Sequence, residues 1–276
     1  MISYESDLTD SEFENIKEFF NPQRKRKVDL HVVLNGIFFL LWTGCQWRAI
    51  PHQELVSWQT IYYYYREWKR KGVWEEVLSD LRQKDRIAEG REPTPSAAII
   101  DSQSSKGCRT GKDRGIDGGK KVKGRKRHIL VDTQGRILAV HVSKANWADT
   151  KGADVIFEKI KDQVPRLEVV LTDGTYRGAG WINRIEEEYG WRVDRLLRKE
   201  QCKAFVPEPI RWKVERTLAW FESYRRLSKS YEYLAESEEA MILISHTRLL
   251  IRRVEKRRAK PQEKENPMFR DWKSAA

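Results

Sequence analysis

Two short stretches, Ala97-Ala98-Ile99-Ile100-Asp101 and Glu168-Val169-Val170-Leu171-Thr172-Asp173, are apolar runs that each end in an aspartate. Runs this short and this apolar read as buried strands. Arg127 to Val131 and Ile137 to Val142 are two further β-rich runs, separated by Asp132-Thr133-Gln134-Gly135, a hairpin signal. Helical patterns follow over Gly152 to Val164 and Gly178 to Tyr189, with a strand near Trp191 to Leu197 and a long helical region from about Arg211. Strands interleaved with helices predict an α/β sheet packed on both sides. In a parallel sheet the positions just past the strand ends share one edge, where ligands and metals bind. Asp101 and Asp173 both occupy such positions.

Working outward, the first ninety or so residues read as helices only. Thr9 and Glu12 stand at capping-box spacing before Phe13, Ile16 and Phe20. A basic connector, Arg24 to Lys27, precedes a helix from about Asp29 to Thr43 closed by Gly44. Ser57 caps a third helix carrying Trp58, Ile61, Tyr62, Tyr65 and Trp68, and Trp74, Val77, Leu78 and Leu81 mark a short fourth. Five of the eleven tryptophans fall in this segment, so it has apolar mass for a core of its own. Short joints and a basic, Tyr-rich third helix suit a helix-turn-helix-like DNA binder, although a small bundle whose tyrosines merely pack fits equally well. Pro93 and Pro95 make Arg91 to Ser96 the linker. The expected domains are therefore 1–92 (helical), 93–250 (α/β) and 251–276 (a basic tail). From Arg248 onward there are ten Lys/Arg against four acids and no clear periodicity, which reads as an arm able to lie on phosphates or simply as a solvated terminus.

The 276 residues carry a net charge of +12, which points to a polyanionic partner, nucleic acid before others. Cys45, Cys108 and Cys202 are far apart and odd in number, which excludes a disulfide framework and a cysteine-built zinc site. Met1 is followed by Glu5 and Asp7 with no apolar run, and the most apolar segment, Val32 to Trp42, is too short to span a bilayer. A soluble, intracellular, nucleic-acid-binding protein with no membrane contact is expected. No Walker A, GxSxG, GxGxxG or HExxH pattern supports nucleotide, ester, dinucleotide or zinc chemistry.

Each candidate acid has a plain structural alternative: Asp101-Ser102 as a turn or cap, Asp173-Gly174 as a tight turn. Two such aspartates in a basic protein suit a hard cation such as Mg²⁺ or Mn²⁺. Glu215 is a possible third ligand, on a helix whose apolar face is Val214, Leu218 and Phe221; by spacing alone it also fits a surface ion pair with Arg211. Between Lys106 and Arg127 lie ten basic residues and two acids, interspersed with glycines. This reads as a flexible loop able to hold a phosphodiester backbone beside the metals.

Whole words of this sequence resemble one family. Asp101-Ser102-Gln103-Ser104 and Gly118-Gly119-Lys120-Lys121-Val122-Lys123-Gly124-Arg125-Lys126-Arg127-His128 are similar to the core of bacterial insertion-sequence transposases of the DDE type. The likeness is to family five, within the larger group that includes family four. It continues through Ala145-Asn146-Trp147-Ala148-Asp149, Asp173-Gly174-Thr175-Tyr176-Arg177-Gly178, Arg211-Trp212-Lys213-Val214-Glu215-Arg216-Thr217 and Tyr224-Arg225-Arg226-Leu227-Ser228-Lys229. Trp42-Thr43-Gly44-Cys45-Gln46-Trp47-Arg48 resembles the helical domain that precedes that core.

The resemblance implies an RNase H-like catalytic core, a mixed sheet flanked by helices, preceded by an all-α DNA-binding domain. It implies that Asp101, Asp173 and Glu215 hold two Mg²⁺ ions, Mn²⁺ substituting, and that the protein cuts the terminal inverted repeats of its element and joins them to target DNA. Lys106, Arg109, Lys120, Lys121, Lys123, Arg125, Lys126 and Arg127 are then phosphate-binding residues. Tyr62, Tyr65, Arg66 and Arg70 would read the terminal repeat, with Arg211, Arg225, Arg226 and Lys229 also on DNA. Synapsis of two ends implies a homodimer or larger assembly. The sequence departs from the wider group's Tyr-x2-Arg-x3-Glu-x6-Lys signature: Arg211 and Glu215 keep its centre, while Glu208 and Glu222 stand at the Tyr and Lys positions. Two other readings stay open, a DNA-binding protein that kept the fold without the reaction and a nuclease that cuts without joining.

Overall fold

A computed structural model describes residues 4–20, 28–51, 56–196 and 212–259. Cys202, Glu208, Arg211 and the basic segments 24–27 and 260–276 lie outside the described residues. The N-terminal helices are α1 (Asp10–Glu14), α2 (Lys17–Phe20), α3 (Leu30–Thr43), α4 (Trp58–Arg70) and α5 (Val73–Ile87). Their ends are set by the caps that the sequence advertises. Thr9 and Glu12 form the reciprocal capping box, Asp29 and Ser57 cap α3 and α4, and Gly44 closes α3 in the left-handed region. The apolar run 32–42 is thus a buried helix, and no helix among the described residues is long and apolar enough to cross a membrane.

The sheet holds β1 (Ala97–Lys106), β2 (Gly115–Asp117), β3 (Val122–Asp132), β4 (Ile137–Lys144), β5 (Val169–Thr172) and β6 (Arg192–Arg195). β3 pairs antiparallel with β1 on one side and with β4 on the other, β2 pairs with the start of β3, and β5 and β6 run parallel to β1. The path β4-β3-β1-β5-β6 is the mixed sheet expected of an RNase H-like core. Gly135, at φ 82°, makes the turn between β3 and β4.

Alternation along the strands divides the interior in two. Ala98, Ile100 and Leu130 face one way, onto α6 (Asp149–Ile160) and α7 (Ala179–Tyr189). Ile99, Ile129 and Val131 face the other way, onto a cluster that includes α8 (Trp212–Trp220), α9 (Ala235–Ala259) and the apolar stripes of α3, α4 and α5. The N-terminal helices therefore share their buried apolar cluster with one face of the sheet. A buried ionic network reinforces the junction. Arg136 holds Asp85 (2.6 Å) and Asp132 (3.1 Å), Arg86 holds Asp132 (2.5 Å), and Arg257 of α9 holds Asp85 (2.8 Å).

Four expectations need correction. β1 does not stop at Ile100, because its polar half, Ser102 to Lys106, is paired residue by residue with β3. The basic stretch 106–127 is accordingly not a flexible loop: it includes β2 and the first half of β3. The helical region after residue 211 is divided, α8 ending in two 3₁₀ turns, Phe221–Ser223 and Arg225–Leu227, before α9 begins. The basic tail is helical as far as Ala259, since Leu250, Ile251 and Val254 are buried and Arg248 pairs with Glu12 (2.8 Å).

Removing Asp132 takes the carboxylate from the buried Arg86 and one of several from the buried Arg136, and breaking a buried pair in this way costs about 3–5 kcal/mol. Asp132→Ala is expected to lower stability by that amount in urea denaturation; a loss below about 1 kcal/mol would contradict the clamp.

Candidate active site

The parallel ladder places the two aspartates. Ala97, Ala98 and Ile99 of β1 stand level with Val169, Val170 and Leu171 of β5. Carried two residues further, the same register sets Asp101 beside Asp173, one mid-strand and the other just past the end of β5. On its other side Asp101 is level with Ile129 of β3. The main-chain N–H of Ser102 donates to Asp101 Oδ1 (2.6 Å). Asp173 Oδ1 accepts from the N–H (2.9 Å) and hydroxyl (2.5 Å) of Thr175, so this aspartate also builds the turn that its Gly174 neighbour suggested.

Glu215 comes from α8, on that helix's exposed side. The helix is seated by Val214 and Leu218 and pinned to the β3–β4 turn: Thr217 Oγ1 donates to Gly135 O (2.8 Å) and Arg216 to Gln134 O (2.8 Å). Its charge reaches Asp101. Burial pushes the Asp101 carboxyl up to about 6, and the negative charges of Asp173 and Glu215 add to that, against the Ser102 N–H and the Lys120 ammonium. The three acids thus share one electrostatic neighbourhood. Among the described residues, no three His, Cys, Asp or Glu side chains stand close enough together to hold one ion.

The donor chemistry nevertheless suits a divalent cation. All three are hard carboxylate oxygens, and burial, together with the like charges of Asp173 and Glu215, destabilises the Asp101 anion. Buried hydroxyls of Tyr176 and Thr172 have no hydrogen-bond partner among the described residues. Burial raises the Tyr176 hydroxyl well above its usual range, and the charges of Asp101, Asp149 and Asp173 act in the same direction.

Sequence reading missed the outer part of this cluster. Asp149, in the first turn of α6, accepts from Ser102 Oγ (2.6 Å) and Lys126 Nζ (3.0 Å). Against burial, these two bonds hold its carboxyl below the usual range. The anchored Ser102 in turn presents its N–H to Asp101. The signal lay in Asn146-Trp147-Ala148-Asp149, whose aspartate opens the helix.

The expected DNA contacts divide in two. Lys106, Arg109, Lys120, Lys121 and Lys123 are exposed, as are Tyr62, Arg66, Arg70, Arg225 and Lys229. Arg125 and Arg127, 0% and 2% exposed, are instead interior groups that share Glu238 of α9. Lys126 is buried as well, held by Asp149 and Trp147 O (2.8 Å). Tyr65 is buried with its hydroxyl on Ser237 O (3.2 Å), and Arg226 is half-buried against Glu232 (2.6 Å) and Cys45 O (3.2 Å). The expectation that Arg125, Lys126, Arg127 and Tyr65 touch DNA fails, because all four side chains are buried against internal partners. His128 and His141 pair across β3 and β4, their rings stacked with centres 6.0 Å apart.

Residues 92–250 match the family model of the transposase DDE domain, and residues 8–78 match that of a putative transposase of the IS4/5 family. A comparison with curated proteins finds no match.

A carboxyl whose pKa is raised from 3.8 to about 6 favours the fold while protonated, and that contribution is lost as pH rises through about 6. Asp101→Asn, which cannot ionise, is expected to be more stable than the native chain by about 1–3 kcal/mol at pH 7 in EDTA. The two should converge near pH 4, below which both forms are neutral. Equal denaturation midpoints at pH 7 would contradict the electrostatic crowding.

Proposed function

The chain belongs to the IS4/5 group of DDE transposases, and on that premise we propose that it is a family-five member that moves its own insertion sequence. In this reading it binds the terminal inverted repeats, cuts them, and joins the freed 3′ ends to target DNA. The observation that carries the reading is the parallel β1–β5 register, whose continuation by two residues sets Asp101 beside Asp173, together with the charges of Asp173 and Glu215 that act on Asp101.

Asp101, Asp173 and Glu215 are the groups that would hold divalent cations, Mg²⁺ or Mn²⁺. Bound there, a pair of such ions supplies activation of the attacking oxygen and stabilisation of charge on the departing 3′ oxygen. The protein's own residues position everything else. Asp149 and Ser102 keep Asp101 in place, and Lys120 offers the nearby positive charge that a scissile phosphate needs. Lys121 and Lys123, beside it on the β2–β3 hairpin, are exposed to the DNA backbone. Tyr62, Arg66 and Arg70 share the outer face of α4 at helical spacing and read the repeat.

Cleavage by water leaves a 3′-hydroxyl. In the joining step that hydroxyl attacks a target phosphodiester, a new P–O bond forms, and the target's own 3′ oxygen leaves, so no bond to the protein is required. Two ends held in one complex require a second copy of the chain, hence a homodimer or larger assembly working on the nucleoid.

Asp173→Asn and Glu215→Gln are each expected to reduce cutting of DNA that carries the gene's flanking ends by at least about a thousandfold, while leaving its binding in EDTA within about twofold. Cutting that survives EDTA, or mutants that lose binding and cutting together, would overturn the assignment of these acids.

A further inference from the structure

The segment 228–234, between the last 3₁₀ turn and α9, carries Tyr231 and Tyr233, which are 41% and 55% exposed. It runs beside segment 106–114. Ser230 N–H donates to Lys106 O, Cys108 N–H to Ser230 O and Lys112 N–H to Tyr233 O, each at 2.9 Å. The buried Arg125 ties both segments down, donating to Lys112 O (2.8 Å), Glu232 O (2.8 Å), Tyr233 O (2.7 Å) and Ser230 Oγ (3.1 Å). A guanidinium presents its donors in a rigid fork, so the two surface segments are fixed relative to the sheet. Structural need alone would be met by covering these rings. Instead they stand in the open among exposed Lys106, Arg109 and Lys229, with the Lys112 ammonium 5.3 Å from the Tyr233 ring centre.

Their place in the fold is equally specific. Ser237, just beyond the segment, accepts from Tyr65 and Lys69 of α4 (3.2 Å each), while Arg226, just before it, holds Cys45 O. The segment that carries the rings is therefore fastened beside α4 at its far end and to the N-terminal helices through Cys45 at its near end. Along β1, Lys106 is five residues from Asp101, about 17 Å at the rise of a strand, or about five base-pair steps of duplex.

Cations suffice to hold a duplex, whose base faces are hidden in its own stack. Exposed rings interleaved with cations have a use on unpaired bases, which offer their π-faces to them irrespective of sequence. We propose that Tyr231 and Tyr233, with Lys112 and Lys229, form a binding surface for unpaired bases of DNA, holding open the strand that leads to the carboxylates. The proposal rests on the transposase reading for the identity of its nucleic acid as DNA; the surface itself does not depend on the reaction.

The test is binding by the full chain in EDTA, followed by fluorescence anisotropy. The probes are a terminal-repeat duplex, the same duplex with about three mismatched pairs near its end, and an oligothymidine of about a dozen nucleotides. The native chain is expected to prefer the mismatched duplex by about tenfold. Tyr231→Ala with Tyr233→Ala should lose that preference and most oligothymidine binding, keeping its affinity for the paired duplex within about twofold. Tyr231→Phe with Tyr233→Phe should keep the preference, because the rings remain. An alanine variant that retains the preference, or that weakens equally on paired and mismatched duplex, overturns the proposal. Tyrosine-dependent oligothymidine binding by a chain that ignores the terminal repeat upholds the surface and defeats the repeat-binding role instead. Repeat binding without any preference for unpaired bases does the reverse.

Discussion

The parallel pairing of β1 with β5 is the constraint from which the site follows. Once Ile99 is level with Leu171, Asp101 and Asp173 are brought side by side, whatever their mutual repulsion. Nothing in the local sequence makes that arrangement comfortable: the Asp101 carboxyl is pushed up by burial and by its acidic neighbours. The fold must be stable enough to bear it. The buried Arg86–Asp132–Arg136–Asp85 network supplies rigidity at the β3–β4 turn, and the same turn receives Thr217 and Arg216 of α8. Glu215 is thus positioned by contacts that run from α5, through the turn, into α8. The ionic network is remote from the acids in sequence but sets where the third one stands.

The positive charge of the chain does two separate jobs. Within residues 106–127, Arg125, Lys126 and Arg127 are interior and paired with Glu238 and Asp149, so they serve the fold and are not free to contact a phosphate. The lysines at 106, 120, 121 and 123 and Arg109 remain at the surface. Counting the segment's net charge alone overstates what a phosphate would feel. The buried arginines still matter to a nucleic-acid surface indirectly, because Arg125 fixes the segments on which exposed cations and rings are carried.

Local signals made much of this architecture legible. The Thr9–Glu12 capping box, the Asp29 and Ser57 caps, Gly44 and the Asp132 to Gly135 turn each act within a few residues, so each is written where it works. Asp101 and Asp173 were legible for the same reason, as acids at the ends of apolar runs. What stayed hidden depends on partners far away along the chain. The second half of β1 has no apolar alternation and is a strand because β3 pairs with it. Arg127 looked like a surface cation because its partner, Glu238, follows 111 residues later. Tyr65 and the residues after Arg248 depend on distant partners likewise, their burial being decided by α9 packing against α4, α5 and α1.

That packing bears on how recognition and chemistry are joined. Arg91 to Ser96 reads as a linker, and its two prolines do exclude helix, but Arg86 donates to the carbonyls of Glu92 (2.7 Å) and Thr94 (3.4 Å). The same Arg86 holds Asp132 of the sheet. The chain between the helices and the sheet is therefore fastened at both ends by one guanidinium. Gly44, at the end of α3, abuts Arg225, where an added Cβ would meet the Arg225 Cβ at 3.1 Å and the backbone of Arg225 and Arg226 at 3.2–3.3 Å. With a common apolar cluster beneath these contacts, the outer face of α4 and the carboxylates are held at a set separation. DNA bound along α4 would then reach the acids by its own bending or opening, the mobile partner in the complex being the nucleic acid rather than the protein.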